Sequence, residues 1–196
     1  MASSELQIMN MALRYAGDYV IDDTQKGSPD DEPSRLVVQF FDQARARALE
    51  AGTWTVATKS LDIVAESPGA PSKDYVYEYL LPSDFLRLLS VRDASHEADY
   101  AVEGESIHSN LGSPLSIRYI WDQTDTTKFK PLLVTAVAYS LASDLVMALT
   151  NSKSQRDAMI EGMMLAVSMA KSKDAVQKPP KSLQAGSWLT ARRKRG

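Results

Sequence analysis

PLLVTAVAYSLASDLVMALT, from Pro131 to Thr150, is the longest apolar segment of this chain, and its reading decides the fold. Proline suits the first turn of a helix, where its missing N–H would have no intrahelical partner. Val134, Val137, Leu141, Leu145 and Ala148 follow at three- and four-residue steps, the spacing of one buried helix face. Leu133, Ala136, Val146 and Leu149 spread apolar side chains over most of the remaining circumference. A helix apolar nearly all round belongs in a membrane or inside packed helices. Its length of about 30 Å would reach across a bilayer. Asp144 stands in its middle, however, with Thr135, Ser140 and Ser143 nearby, and a central carboxylate costs about 3 kcal/mol in lipid. The stretch therefore reads as a central helix sandwiched between others, and no membrane is expected. Its remaining uncovered side, near Leu133, Ala136 and Ser140, is expected to lie close to a neighbouring subunit.

Three more helices can cover it. Ser4-Glu5-Leu6-Gln7 is a capping box opening a helix over about 4–16, with Leu6, Met9, Leu13 and Ala16 on one stripe and Gly17 as its stop. The acidic, turn-rich DDTQKGSPDDEP from Asp22 to Pro33 is a loop. A second helix follows over about 33–51, with Leu36, Phe40, Ala44 and Ala48 in line, and Trp54 beyond Gly52 is expected to pack back on it. Ser152-Lys153-Ser154-Gln155 opens a fourth helix over about 152–173, carrying Met159, Met163, Ala166 and Ala170, with Met164 and Val167 alongside. Its methionines serve as core filling or as an adaptable contact for another subunit.

Between Thr55 and Asp125 the period changes. Tyr75–Pro82 alternates as a half-buried strand does, and Phe85–Val91, Tyr100–Glu103, Ser106–Ser109 and Leu115–Trp121 are shorter strand candidates between turn signals. The expected fold is α+β and mainly α. A four-helix bundle from 1–55 and 128–175 carries a small antiparallel β domain, 56–127, inserted between its second and third helices. An extended basic arm, 176–196, follows Pro179-Pro180.

Composition narrows the function. The chain has 196 residues, no cysteine and a net charge of −3, so disulfide and thiolate chemistry are excluded. Charge is unevenly spread. From Lys171 onward there are eight basic residues and one acidic, which leaves 14 basic and 24 acidic residues, about −10, in the body. An acidic body repels nucleic acid, while the tail seeks an acidic partner. The N-terminus lacks the basic start and apolar run of a signal peptide, so synthesis in the cytoplasm is expected.

Catalytic patterns are sparse. His96 and His108 have no carboxylate or cysteine at ligand spacing, and no HExxH-type metal motif occurs. Asp99, Glu103 and Glu105 read as the wet side of a strand before they read as an acid/base pair. Ser83-Asp84 and Ser95-His96 lack a nucleophile elbow, and Gly104 in EGES is no phosphate loop. Asp144 reads as a residue facing solvent, a channel or an interface. No catalytic residue, cofactor or metal is expected. The basic arm with Arg192, Arg193, Lys194 and Arg195 reads either as a solvated tail or, since it carries Trp188-Leu189 and an exposed tryptophan is a typical hot spot, as a docking element, the preferred reading. Candidate subunit contacts are Leu133, Ala136, Ser140, Asp144, Met163 and Met164.

The order of these pieces resembles the tail tubular protein A family of short-tailed bacteriophages, the head-to-tail adaptors below the portal. Asn10-Met-Ala12-Leu13 with Gly17 resembles the family's opening helix, and Phe41-Asp42, Arg45, Leu49 and Trp54 its second. Tyr77-Glu-Tyr79-Leu-Leu-Pro82-Ser-Asp84-Phe-Leu-Arg87 is similar to its aromatic strand and proline-acid-arginine turn. Tyr100 to Gly104 with Ile107, and Ile117-Arg118-Tyr119-Ile120, resemble its later strands. Phe129 to Thr150 resembles its central helix, and Gly186-Ser187-Trp188-Leu189 with Arg192 its tail motif. A phenylalanine pair, Phe40-Phe41, departs from the single tyrosine expected before the aspartate. The resemblance implies a homo-oligomeric ring of about twelve subunits in the virion tail. That ring would join the portal protein to a tubular protein B-like nozzle and pass genomic DNA without specific binding. The alternatives are a cell-wall hydrolase using those carboxylates and a nucleic-acid-binding protein using its tail.

Overall fold

The computed structural model describes residues 4–65, 74–92 and 100–177. Among them are four α-helices and two small antiparallel sheets, a mixed α/β fold. Helix α1, Glu5–Ala16, opens with the expected reciprocal cap, in which Gln7 N–H donates to Ser4 Oγ and Ser4 N–H to Gln7 Oε1. It stops at Gly17, whose φ of 85° lets Asp18 N–H reach the Leu13 carbonyl at 2.9 Å. Helix α2, Glu32–Ala51, has Pro33 in its first turn. Helix α3, Pro131–Leu149, begins on its proline. Helix α4, Lys153–Gln177, runs four residues past the expected end, since nothing in Asp174-Ala175-Val176-Gln177 breaks a helix. At its start Ser152 Oγ accepts from Gln155 N–H at 3.4 Å, while the Gln155 side chain turns to Thr150 instead of closing the box.

α3 is the centre of the helical part, with α1, α2 and α4 packed on it. It is long and apolar enough to cross a membrane, yet most of it is buried inside this chain. Leu133, Ala136, Val137, Leu141 and Leu145 are fully enclosed with Ile8 and Leu13 of α1 and Val37, Ala44 and Leu49 of α2. Small residues at 136, 138, 142 and 143 let the partner helices approach closely. The uncovered side expected near Leu133, Ala136 and Ser140 does not lie at those residues. All three are sealed by the chain's own helices, so none offers a side chain to a neighbour.

The first sheet has the order β1-β6-β3 and comprises Thr58–Ile63, Leu115–Trp121 and Phe85–Val91. The second has the order β2-β5-β4 and comprises Tyr77–Leu80, Ser106–Ser109 and Tyr100–Glu103. Strand β1 (TKSLDI) has no place among the sequence candidates: it is a largely polar strand with an irregular burial pattern, held by six register pairs to β6. One end of the first sheet joins the helical core through Ile120, Leu86 and Leu89. Its Ile63, Val91, Leu115, Ile117 and Tyr119 form a second core with Tyr79 and Ile107 of the other sheet.

Candidate functional site

Two arginines fasten the sheet to the helices. Arg45 of α2 is 5% exposed; its Nε and Nη2 reach both oxygens of Asp122 just beyond β6, at 3.2 and 3.0 Å, and Nη1 reaches Asp42. A guanidinium fork matches a carboxylate in this way. Arg87 of β3 donates to the Gly52 carbonyl at 2.8 Å, at the C-terminal end of α2. Trp54 closes the same corner as expected, buried with its indole N–H on the Ala48 carbonyl at 2.9 Å.

Asp84 organises the edge of the first sheet. Lys59 Nζ lies 2.6 Å from one carboxylate oxygen and Tyr119 Oη donates to the other at 3.0 Å, while the same lysine sits 3.6 Å above the Trp121 ring. Burial alone would raise the Asp84 pKa, but the hydrogen bonds from Lys59 and Tyr119 outweigh it and hold the carboxyl below its ordinary value. Tyr119 is pushed up to about 12 by burial and by its bond to Asp84. This is a structural network, with Phe85 stacked on Tyr119 at 5.8 Å.

His108, with no carboxylate at ligand spacing along the sequence, meets two of them in space. Strand pairing sets it between Glu78 of β2, 3.8 Å from Nε2, and Glu103 of β4, 3.6 Å from Nδ1. Glu103 stood out in sequence, but the approach of both carboxylates to His108 did not, because the three residues come from three different strands. Glu78 also accepts from Ser106 Oγ at 2.8 Å. No cluster of three or more metal-ligating residues occurs among the described residues. Glu103 and Glu105 are exposed and flank the turn at Gly104, where φ is 59°. Asp99 and His96 lie outside the described residues.

Asp144 is held by its own chain: Arg47 of α2 donates to Oδ1 at 3.2 Å, and its other nitrogen lies 3.1 Å from Oδ2. Ser140 shares the same guanidinium at 3.5 Å. The charge on an apolar helix is thus answered within the chain. The methionines divide. Met163 is buried against the core, whereas Met164 points outward with Leu165 and Met169, at 62%, 63% and 47% exposure. A groove of about 280 Å³ between Ala51 and α4 is lined by Met163, Met164 and Val167. The docking residues Trp188, Leu189, Arg192, Arg193, Lys194 and Arg195 lie outside the described residues.

The sequence reading missed a polar face on the first sheet. Register aligns Ser60, Arg118 and Ser90 in one row across β1, β6 and β3, and Asp62 with Ser116 in the next, where Arg92 N–H bonds the Ser116 carbonyl. These six line an open groove of about 420 Å³. Its signal was present as a thrice-repeated Ser-apolar-charged pattern: Ser60-Leu61-Asp62, Ser90-Val91-Arg92 and Ser116-Ile117-Arg118. No family model matches this chain, and a search of curated proteins finds no significant match.

Proposed function

We propose that this chain is a structural subunit of a virion: a head-to-tail adaptor that forms a ring of about twelve copies between portal and tail nozzle and leaves a channel for DNA. The observation that carries the proposal is the outward apolar face of α4. Met164, Leu165 and Met169 stand exposed beside a groove, and an apolar patch of this kind marks an interaction surface. In this reading the four helices act as a bundle, the two sheets as a β domain inserted into it, and the residues beyond α4 as an arm. Trp188 and the terminal ArgArgLysArg of that arm dock on the portal. The resemblance in the order of sequence elements supports the same reading. The protein is then not an enzyme, takes no cofactor and binds no membrane, and the acidic body keeps passing DNA from adhering.

Imaging of the full chain mixed with its cognate portal tests this. A second ring stacked on the portal is expected, and no added density overturns the reading. Removal of residues 178–196 should abolish portal binding while circular dichroism and melting stay those of the full chain. Unchanged binding sinks the arm's role.

A further inference from the structure

The groove on the first sheet has a chemistry that asks for an anionic partner. On one face of three paired strands, Arg92 and Arg118 stand with Ser60, Ser90 and Ser116. Neither arginine makes an ion pair among the described residues, whereas Arg45, Arg47 and Arg87 are all engaged within the chain. Asp62, the one acid on this face, already accepts the Ser116 hydroxyl. The same sheet face that buries Ile120 under the helices continues past them as this hydroxyl and guanidinium surface. Two forked donors with hydroxyls between them fit carboxylates.

The chain carries the complementary surface. The α1–α2 connection holds Asp18, Asp22, Asp23, Asp30 and Asp31, with Glu32 opening α2, against one cation, Lys26, which is paired with Glu5. Asp22 caps its own turn and Asp31 accepts from Tyr19. Asp23 and Asp30 are exposed, as are Tyr19 and Val20 before them and Val38 in α2. The loop precedes α2, whose 20 residues span about 30 Å, while the sheet is tied to the far end of that helix at Gly52. The groove is lined by residues of β1, β3 and β6 and by Arg92 just past β3, with none from the α1–α2 connection. Loop and groove of one chain therefore do not meet, and the loop of a second copy can reach what its own cannot.

We infer that the acidic α1–α2 loop of one subunit, through Asp23 and Asp30, docks into the Arg92–Arg118 groove of the next. This deepens the ring reading and rests on it. The contact is heterologous, joining two unlike surfaces, which is what a closed ring requires. Copies in a ring of about twelve turn by roughly 30° from one to the next, so the two contacting surfaces of a subunit are nearly opposed. The apolar face of α4 supplies area, and the charged pair sets register and excludes wrong partners.

Charge exchange tests it in the full-length chain, by sedimentation velocity and by imaging on the portal. Arg92→Glu with Arg118→Glu makes the groove acidic, and Asp23→Lys with Asp30→Lys makes the loop basic. Each double variant alone should assemble at least about tenfold more weakly than the native chain, through like-charge contact. An equimolar mixture should regain assembly, because each variant's loop then meets the other's groove with opposite charge. Melting curves matching the native chain confirm folding. Assembly unchanged in either variant, or a mixture that fails to recover, overturns the pairing while leaving the ring reading intact. A native chain that forms no oligomer, alone or on the portal, overturns both. If the groove variant assembles normally but loses salt-dependent binding to a short DNA duplex, the groove serves phosphates and the inference is wrong.

Discussion

The carboxyl of Asp84 shows how single residues set this protein's response to pH. Its native pKa is held below the ordinary 3.8, so the native state releases that proton more readily than the unfolded chain does. The resulting stability is fully present above about pH 4 and lost as pH falls through the lower native value. Asp84→Asn should flatten the acid limb of a melting-temperature profile below pH 4; an unchanged limb would show that Lys59 and Tyr119 contribute nothing through this group. Tyr119 works in the opposite direction. Its pKa is raised to about 12 in the native state, so its contribution is whole below the ordinary value of about 10 and is lost between there and about pH 12. Tyr119→Phe should remove that alkaline decline. Arg45 is a second case. Arg45→Ala leaves Asp122 and Asp42 without their buried partner, though both carboxylates keep contact with water, and should cost about 1–2 kcal/mol in urea unfolding. Arg45→Met combined with Asp122→Leu should recover much of that loss. The resemblance singled out Arg45, Asp84 and Tyr119 as motif positions, but the pairing of Arg45 with Asp122 and of Asp84 with Lys59 and Tyr119 joins distant segments that no local spacing connects.

At the scale of elements, helices were legible and one strand was not. Caps and stops are local chemistry, so Ser4, Gly17, Pro33 and Pro131 mark boundaries within a residue or two. Strand β1 escaped because its residues alternate weakly, and its place is dictated by β6, more than fifty residues downstream. Helix contacts carry their own information. A Cβ on Gly162 of α4 would stand 2.8 Å from the ring of Tyr139 on α3, which is itself stacked at 4.4 Å on Tyr15 of α1. Replacing a mid-helix glycine by alanine ordinarily stabilises by about 1 kcal/mol. Here the ring is backed by another ring and cannot give way, so overpacking of about 1–3 kcal/mol wins. Gly162→Ala should lower unfolding free energy, and the same change in a Tyr139→Leu background should be neutral or stabilising. If Gly162→Ala stabilises the native chain, the three-helix stack is looser than its geometry implies.

For the whole molecule, the apolar excess that the sequence suggested is real but sits on a different helix. Composition and period showed that Pro131–Thr150 had to be covered, and did not show that Leu133, Ala136 and Ser140 would be sealed while Pro131, Ala148 and Thr150 stay exposed. Helical period cannot separate an inner from an outer apolar stripe when both exist. Met163 and Met164 are neighbours in sequence, yet one is buried and the other is 62% exposed. The assembly argument therefore moves from α3 to α4. Met164→Lys, Leu165→Gln and Met169→Lys together replace side chains that touch water in the subunit and have similar helix propensities. Each should change unfolding free energy by no more than about 0.5 kcal/mol. Assembly should suffer far more, because covering one such side chain contributes about 1.5–3 kcal/mol, at least roughly tenfold in association. The expected result is a triple variant with a native melting curve and no ring on the portal. A triple variant that still builds the ring would remove α4 from the proposed contact, leaving the proposed pairing of loop and groove to account for assembly.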